Sequence, residues 1–225
     1  MGNKRSYGDA CGIARALDVV GERWALMVVR ELLLGPKRFT DLRGGLPHVS
    51  PDVLAQRLRD LEQAGLLRHR RLPPPYGSQV YELTPSGRAL EQALIELGRW
   101  GGTYAPPPSD DMCMSLDAHI VSLRTLFDAR RAGDFAARVD LLLGAERFRV
   151  TIADGHVEAG RATSDDALPA ADATIEADPR TFLEVFHGHR KLADAVAAGT
   201  IRVSGDKRKA RRFTELFPLP QPVAA

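Results

Sequence analysis

Gln56, Arg57 and Arg59 lie close together on the segment Ser50 to Gln63. An amide and two guanidinium groups at that spacing can read base edges. Arginine fits O6 and N7 of guanine in the major groove, and glutamine fits N6 and N7 of adenine; each good pair of bonds gives about 1–3 kcal/mol of discrimination. The same residue types decorate any exposed helix for solubility, so the surroundings must decide. Downstream come Arg68, His69, Arg70 and Arg71, then Tyr76, Ser78 and Gln79 around a Pro and Gly loop, a set suited to phosphates or a minor groove. Strand alternation puts Arg68 with Arg70 and His69 with Arg71, so not all of them can meet one partner. Lys37 and Arg38 are further phosphate candidates, which a solvated loop explains equally well.

These side chains need a rigid carrier, and the local pattern supplies one. Ser50 caps a helix, Pro51 suits its first position because its missing N–H had no intrahelical partner, Asp52 complements the positive end, and Gly65 marks the stop. Leu54, Leu58 and Leu61 form one stripe at helical spacing, while Asp52, Gln56, Arg59 and Gln63 point the other way. Upstream, Ile13, Ala16, Leu17 and Val20 predict a helix from about Cys11 to Val20 with that face buried. Trp24, Met27, Val28 and Leu32 predict a second, ending near Gly35 and Pro36, and a short third runs from about Phe39 to Gly44. Leu66 to Arg71 and Gln79 to Leu83 read as a hairpin, and Thr84 with Pro85 starts a closing helix carrying Leu90, Leu94, Leu97 and Trp100. The sum is a winged helix.

Beyond the prolines at 106–108 the texture changes. Leu116, Ile120, Leu123 and Phe127 predict a helix, "RVDLLLG", "RFRVTIADGHVEAG" and "DATIEA" predict strands, and Asp154-Gly155 is a hairpin turn. A helix from Asp178-Pro179, another over about Leu192 to Ala198, a strand in "TIRVSG" and a last helix in "KRKARRFTELF" complete the chain. The fold class expected is α+β: a winged helix-turn-helix over residues 1–105, a linker at 106–115, and an α+β domain with helices on a mostly antiparallel sheet over 116–225.

The whole chain has 31 basic and 29 acidic residues, too even a balance to name a partner. Its halves differ: residues 1–105 hold 15 Lys and Arg against 11 Asp and Glu, and the remainder 16 against 18. The basic excess sits where phosphate binding is expected. Two cysteines make no disulfide framework, and no apolar run suggests export or membrane insertion, so a reducing cytoplasm is the expectation. His187 and His189 form an isolated H-x-H without further ligands at metal spacing. No phosphate-cradling glycine loop or nucleophile elbow occurs. The expectation is therefore no enzyme, no metal and no cofactor. The run Lys207, Arg208, Lys209, Arg211, Arg212 reads as a solvated helix face.

From Cys11 to Gly101 the chain resembles HxlR-type winged-helix bacterial transcription regulators, through "CGIARALDVVGERWALMVVRELLLGPKRFTDLRGGLPHVSPDVLAQRLRDLEQAGLL", the block Tyr81 to Arg88 and the segment Leu97-Gly98-Arg99-Trp100. That resemblance implies a homodimer on a near-palindromic stretch of double-stranded DNA. The DNA-binding residues expected are Arg38, Ser50, Gln56, Arg57, Arg59, Arg70, Arg71 and Tyr76. Some members sense oxidants through an N-terminal cysteine, which extends a redox role to Cys11, although Gly12 stands where the family usually has Pro. Residues from about Arg138 to Leu219 resemble the sterol carrier protein-like fold, through "FRVTIADGHVEAG", "PAADATIEADPRTFLEVFHG", "AVAAGTIRVSGD" and "LFPLP". This second resemblance implies a tunnel for an apolar or amphipathic small molecule, lined by Leu141, Phe148, Phe182, Phe186, Val196 and Phe213, any of which is equally a plain core residue. The function expected is a homodimeric, sequence-specific regulator modulated by such a ligand. Its alternatives are a thiol switch at Cys11 and a lipid carrier whose N-terminal half dimerises.

Overall fold

The computed structural model describes residues 6–73, 77–104, 114–162 and 169–220. The chain forms two compact units, Met1–Leu94 and Ile95–Ala225.

In the first unit, α1 (Gly12–Val20), α2 (Ala25–Leu32), α3 (Phe39–Gly45) and α4 (Pro51–Gln63) precede a hairpin of β1 (Leu67–Arg71) and β2 (Gln79–Leu83). Val28, Val29, Leu32, Leu42, Leu54, Leu58 and Leu61 are its buried centre. Fully burying each such aliphatic side chain stabilises by about 1.5–3 kcal/mol. The capping expected for α4 is present: Ser50 Oγ accepts from Val53 N, and Gly65, at φ 72°, lets Leu66 N reach back to Leu61 O at 2.9 Å. Lys37 and Tyr81 exchange backbone hydrogen bonds of 3.0 and 2.8 Å, so the α2–α3 connection lies beside the hairpin.

Two expectations fail here. The apolar side of α1 is not a core face: Val20 is buried, but Ile13 is 73% exposed and Ala16 and Leu17 are exposed too. Asp18 on α1 accepts from the Ser6 hydroxyl and the Tyr7 N–H. The closing helix is also broken, into α5 (Pro85–Arg88) and α6 (Glu91–Tyr104). The divide between units falls inside α6, where Leu97 and Trp100 are exposed.

In the second unit, α7 (Leu116–Leu126) and the unpredicted α8 (Ala129–Ala132) lead to β3 (Ala137–Leu143), β4 (Glu146–Ala153), β5 (His156–Arg161) and β6 (Ala173–Ala177). Then come α9 (Pro179–Phe186), α10 (Leu192–Ala197), β7 (Ile201–Gly205) and α11 (Lys207–Thr214). The sheet order is β5-β4-β3-β6-β7, antiparallel except where β3 runs parallel to β6. Asp154 and Gly155 both have positive φ, 51° and 71°, the geometry of the tight hairpin turn expected there. Alternation sends Val139, Leu141, Leu143, Phe148, Val150, Ile152 and Ile175 into the apolar interior, with α7 packed on β5 and α11 on β3 and β6. The opposite face is polar. On it, buried Asp140 is gripped by Arg147 at 2.6 Å and by two bonds from Arg149 at 2.6 and 3.0 Å. Burial pushes this carboxyl's pKa up, but the bonds from Arg149 and Arg147 outweigh it and hold the group below the usual range.

Candidate nucleic-acid interface

The helix period of about 100° per residue decides which α4 side chains can meet a partner. Relative to Leu54, residues Asp52, Gln56, Arg59 and Gln63 fall at roughly 140–200°, on the far side from the buried stripe. All four are exposed. Gln56 and Arg59 are linked: Arg59 Nη2 donates to Gln56 Oε1 at 2.7 Å, and Gln56 Nε2 donates to Asp60 Oδ1 at 2.7 Å. This chain presents an oriented amide and guanidinium outward. Ser50 and Arg38, at the starts of α4 and α3, are also exposed.

Arg57 behaves differently from its sequence neighbours. It lies only about 60° from Leu54. Its side chain is 15% exposed and pairs with Glu22 at 3.7 Å and Asp60 at 3.1 Å. The structure thus separates Arg57 from Gln56 and Arg59. It fastens α4 to the α1–α2 connection.

The wing obeys the alternation expected. Arg68 and Arg70 share a face, and both grip Glu82 on β2, Arg68 at 2.5 Å and Arg70 at 2.7 Å. Burial pushes the Glu82 pKa up, but hydrogen bonds from Arg70 and Arg68 prevail and lower it, so the carboxylate stays charged against them. Half of the positive charge of Arg70 and Arg68 is therefore neutralised within the wing. On the other face His69 stacks on Tyr81 at 4.5 Å, and Glu62 of α4 accepts from His69 N at 3.1 Å, bracing the hairpin against the helix. Arg71 is exposed, its Nε donating to Gly77 O at 3.0 Å. Tyr76 lies outside the described residues.

Lys37 is not a surface cation: its Nζ lies 2.7 Å from Glu31, a fully buried carboxylate that also pairs with Arg30 at 2.8 Å. Sequence reasoning passed over Arg43, exposed on α3 and without an ion pair among the described residues. It also missed Glu82, whose partnership with Arg68 is visible once the hairpin register is known.

Elsewhere, Cys11 is exposed at the start of α1, its N–H donating to Asp9 at 2.8 Å, and Cys113 lies outside the described residues. Of the six residues proposed to line a tunnel, Leu141, Phe148, Phe182, Phe186 and Phe213 are buried, but Val196 is 40% exposed and does not join them. Phe182, Phe186 and Phe213 pack with Phe217, ring centres 4.4–5.8 Å apart. Burial, followed by the charge of His189, lowers the pKa of His187 beneath its ordinary value. Among the described residues no cluster of three His, Cys, Asp or Glu could hold a metal ion, and no helix is long and apolar enough to cross a membrane.

Comparison with known proteins separates the halves. The HxlR-like helix-turn-helix family matches residues 19–109, and the alkyl sulfatase C-terminal family matches residues 112–223. Over the second half the family matched is thus the alkyl sulfatase C-terminal one, where the sterol carrier protein-like fold was expected. Two Bacillus subtilis HTH-type transcriptional regulators are similar to the N-terminal half. YvaP, itself described as uncharacterized, is 33% identical over 93 residues, 41% of this chain and 86% of its own length. YodB is 33% identical over 98 residues, 44% of this chain and 87% of its own. The solved reduced form of B. subtilis YodB is 30% identical, with a TM-score of 0.39 over 45% of this chain and all of that one. An exposed polar face on a capped helix, a hairpin braced beside it, and curated relatives matched over most of their length agree. By its N-terminal half, the chain belongs to the HxlR-like helix-turn-helix family of DNA-binding transcriptional regulators.

Proposed function

We propose that this protein is a homodimeric, sequence-specific regulator that acts on DNA in the cytoplasm, with the outward face of α4 in the major groove and the wing on the backbone. The observation that carries the reading is the Arg59–Gln56 pair, exposed and oriented opposite the Leu54, Leu58, Leu61 stripe. Arg38, Ser50 and Arg71 are proposed to hold phosphates, with Tyr76 beyond them on the wing. Arg57 and Arg70 are proposed to act indirectly, by fixing helix and hairpin. Dimerisation is supported by apolar side chains left exposed on α1 and α6: Ile13, Leu17, Leu97 and Trp100. A second copy covering them would set the spacing of two recognition helices. Leu17→Glu should shift sedimentation from dimer to monomer at micromolar concentration; a parent that is already monomeric rejects this part.

The C-terminal half is proposed to bind an apolar or amphipathic molecule and to bias DNA affinity through it. Support comes from the apolar character of the residues buried between sheet and helices, Leu141, Phe148, Phe182, Phe186 and Phe213. The thiol-switch alternative is supported by the exposure of Cys11 alone.

The test of DNA reading is a paired substitution. Arg59→Ala should weaken binding to a duplex enriched by the parent protein by about 1–3 kcal/mol, roughly 5- to 150-fold, and should relax preference at one base position. Arg57→Ala should lower thermal stability and leave base preference intact. Equal loss of preference in both variants would contradict the assignment, and sequence-indifferent binding by the parent would reject it outright.

A further inference from the structure

The run of cations near the C-terminus gains a meaning in three dimensions that its sequence lacked. In α11, Ala210 and Phe213 are fully buried and fix the helix on the sheet, leaving Lys207, Arg208, Arg211 and Arg212 exposed. The guanidinium of Arg212 donates to the Arg131 carbonyl, and Asp128 N donates to Leu216 O at 2.9 Å. These bonds seat α8 beside α11 and add Arg130 and Arg131, both exposed, to the same cationic cluster.

Nearby acids do not balance it. Asp128 and Asp206 cap their helices by accepting backbone N–H groups, Asp128 also meeting Arg131 at 3.3 Å. Glu215 is shared between Arg211 and Arg212 at 3.4 and 3.3 Å, and Asp172 takes Lys209 at 2.7 Å. The side chains of Arg130, Lys207 and Arg208 have no ion pair among the described residues. Chain positions after 105 carry 18 acids against 16 bases, yet seven of those bases gather on this one helix pair. A merely solvated helix face intersperses the two signs, because like charges one turn apart repel. A polyanion would relieve that repulsion.

We infer that the α8–α11 face of the second unit is itself a contact for the phosphate backbone of double-stranded DNA. This rests on the DNA-binding reading above. Two features favour nucleic acid over an anionic lipid surface. The apolar side of α11 is already spent in the core, so no apolar face remains to enter a bilayer. Arginine dominates, five of the seven cations, and its planar fork suits phosphate oxygens.

The test uses the full chain and a duplex enriched by the parent from a random pool, either trimmed to the footprint of the winged helix or extended by flanking duplex. The triple variant Arg130→Gln, Lys207→Gln, Arg208→Gln removes cations that have no ion pair among the described residues, and circular dichroism should match the parent. On the extended duplex the variant should bind about tenfold more weakly, and its slope of log K against log salt should be shallower by about 2–3, near 0.9 for each phosphate no longer neutralised. On the trimmed duplex, which offers fewer phosphates, variant and parent should differ less. Equal slopes on the extended duplex overturn the inference, as does an unchanged DNA slope accompanied by loss of binding to phosphatidylserine vesicles. A parent that binds neither duplex overturns the DNA reading itself, which separates the two failures.

Discussion

Lys37→Met should cost the N-terminal half about 3 kcal/mol of stability, because it takes one cation from the buried carboxylate of Glu31. Glu31 is fully buried, between Arg30 at 2.8 Å and Lys37 at 2.7 Å. Breaking a buried ion pair at one end costs about 3–5 kcal/mol, and the partner that stays behind places this case at the lower end. Replacing both ends should restore most of the loss: the double variant Glu31→Met, Lys37→Met removes the charge together with its desolvation cost. Urea titration followed by tryptophan fluorescence in a Trp100→Phe background reads the effect, since Trp24 then reports on the first unit alone. A single variant as stable as the parent, or a double variant worse than the single, would show that Lys37 does not compensate a buried charge.

Phe213→Ala should destabilise the C-terminal half by about 3–5 kcal/mol, the cost of deleting a fully packed aromatic ring. Phe213 is wholly buried, with ring centres of Phe217 and Phe186 at 5.0 and 5.8 Å. Val196→Ala, at an exposed position, should change stability by no more than about 0.5 kcal/mol. Hydrogen exchange of the central strand β3 in the full chain measures both. The comparison also bears on ligand binding. If the Phe cluster walls an existing cavity, truncation only widens it, and the loss should fall toward the transfer cost of the ring alone. A Phe213 effect as small as that of Val196 would show that the ring is not packed, which favours a ligand space over a core.

Much of the candidate interface was legible in the sequence. Ser50, Pro51 and Gly65 bound a helix by their own chemistry, a cap, a fixed φ and a left-handed stop, none of which depends on distant chain. The outward set of Asp52, Gln56, Arg59 and Gln63 follows from the helix period. Arg57 was legible in the same way, being about 60° from Leu54, but its guanidinium types it with Arg59 when composition is read ahead of angle. Arg70 and Lys37 were not legible as structural residues. Their partners, Glu82 and Glu31, are set by hairpin register and by the burial of α2, and neither is written locally.

The sequence by itself determined the order and ends of nearly every element, the alternation of the wing, the tight turn at Asp154-Gly155, and the family of the N-terminal half. Periodicity fixes which side chains share a face, because it is a property of one helix or strand. Only the tertiary structure decided what each face meets. It left Ile13 and Leu17 uncovered, bound Arg57 and Arg70 to acids distant from them in the chain, and set α8 beside α11 to build one cationic surface. Burial and ion pairing are non-local: they depend on which surfaces arrive together, and the spacing of residues along a single segment does not carry that information.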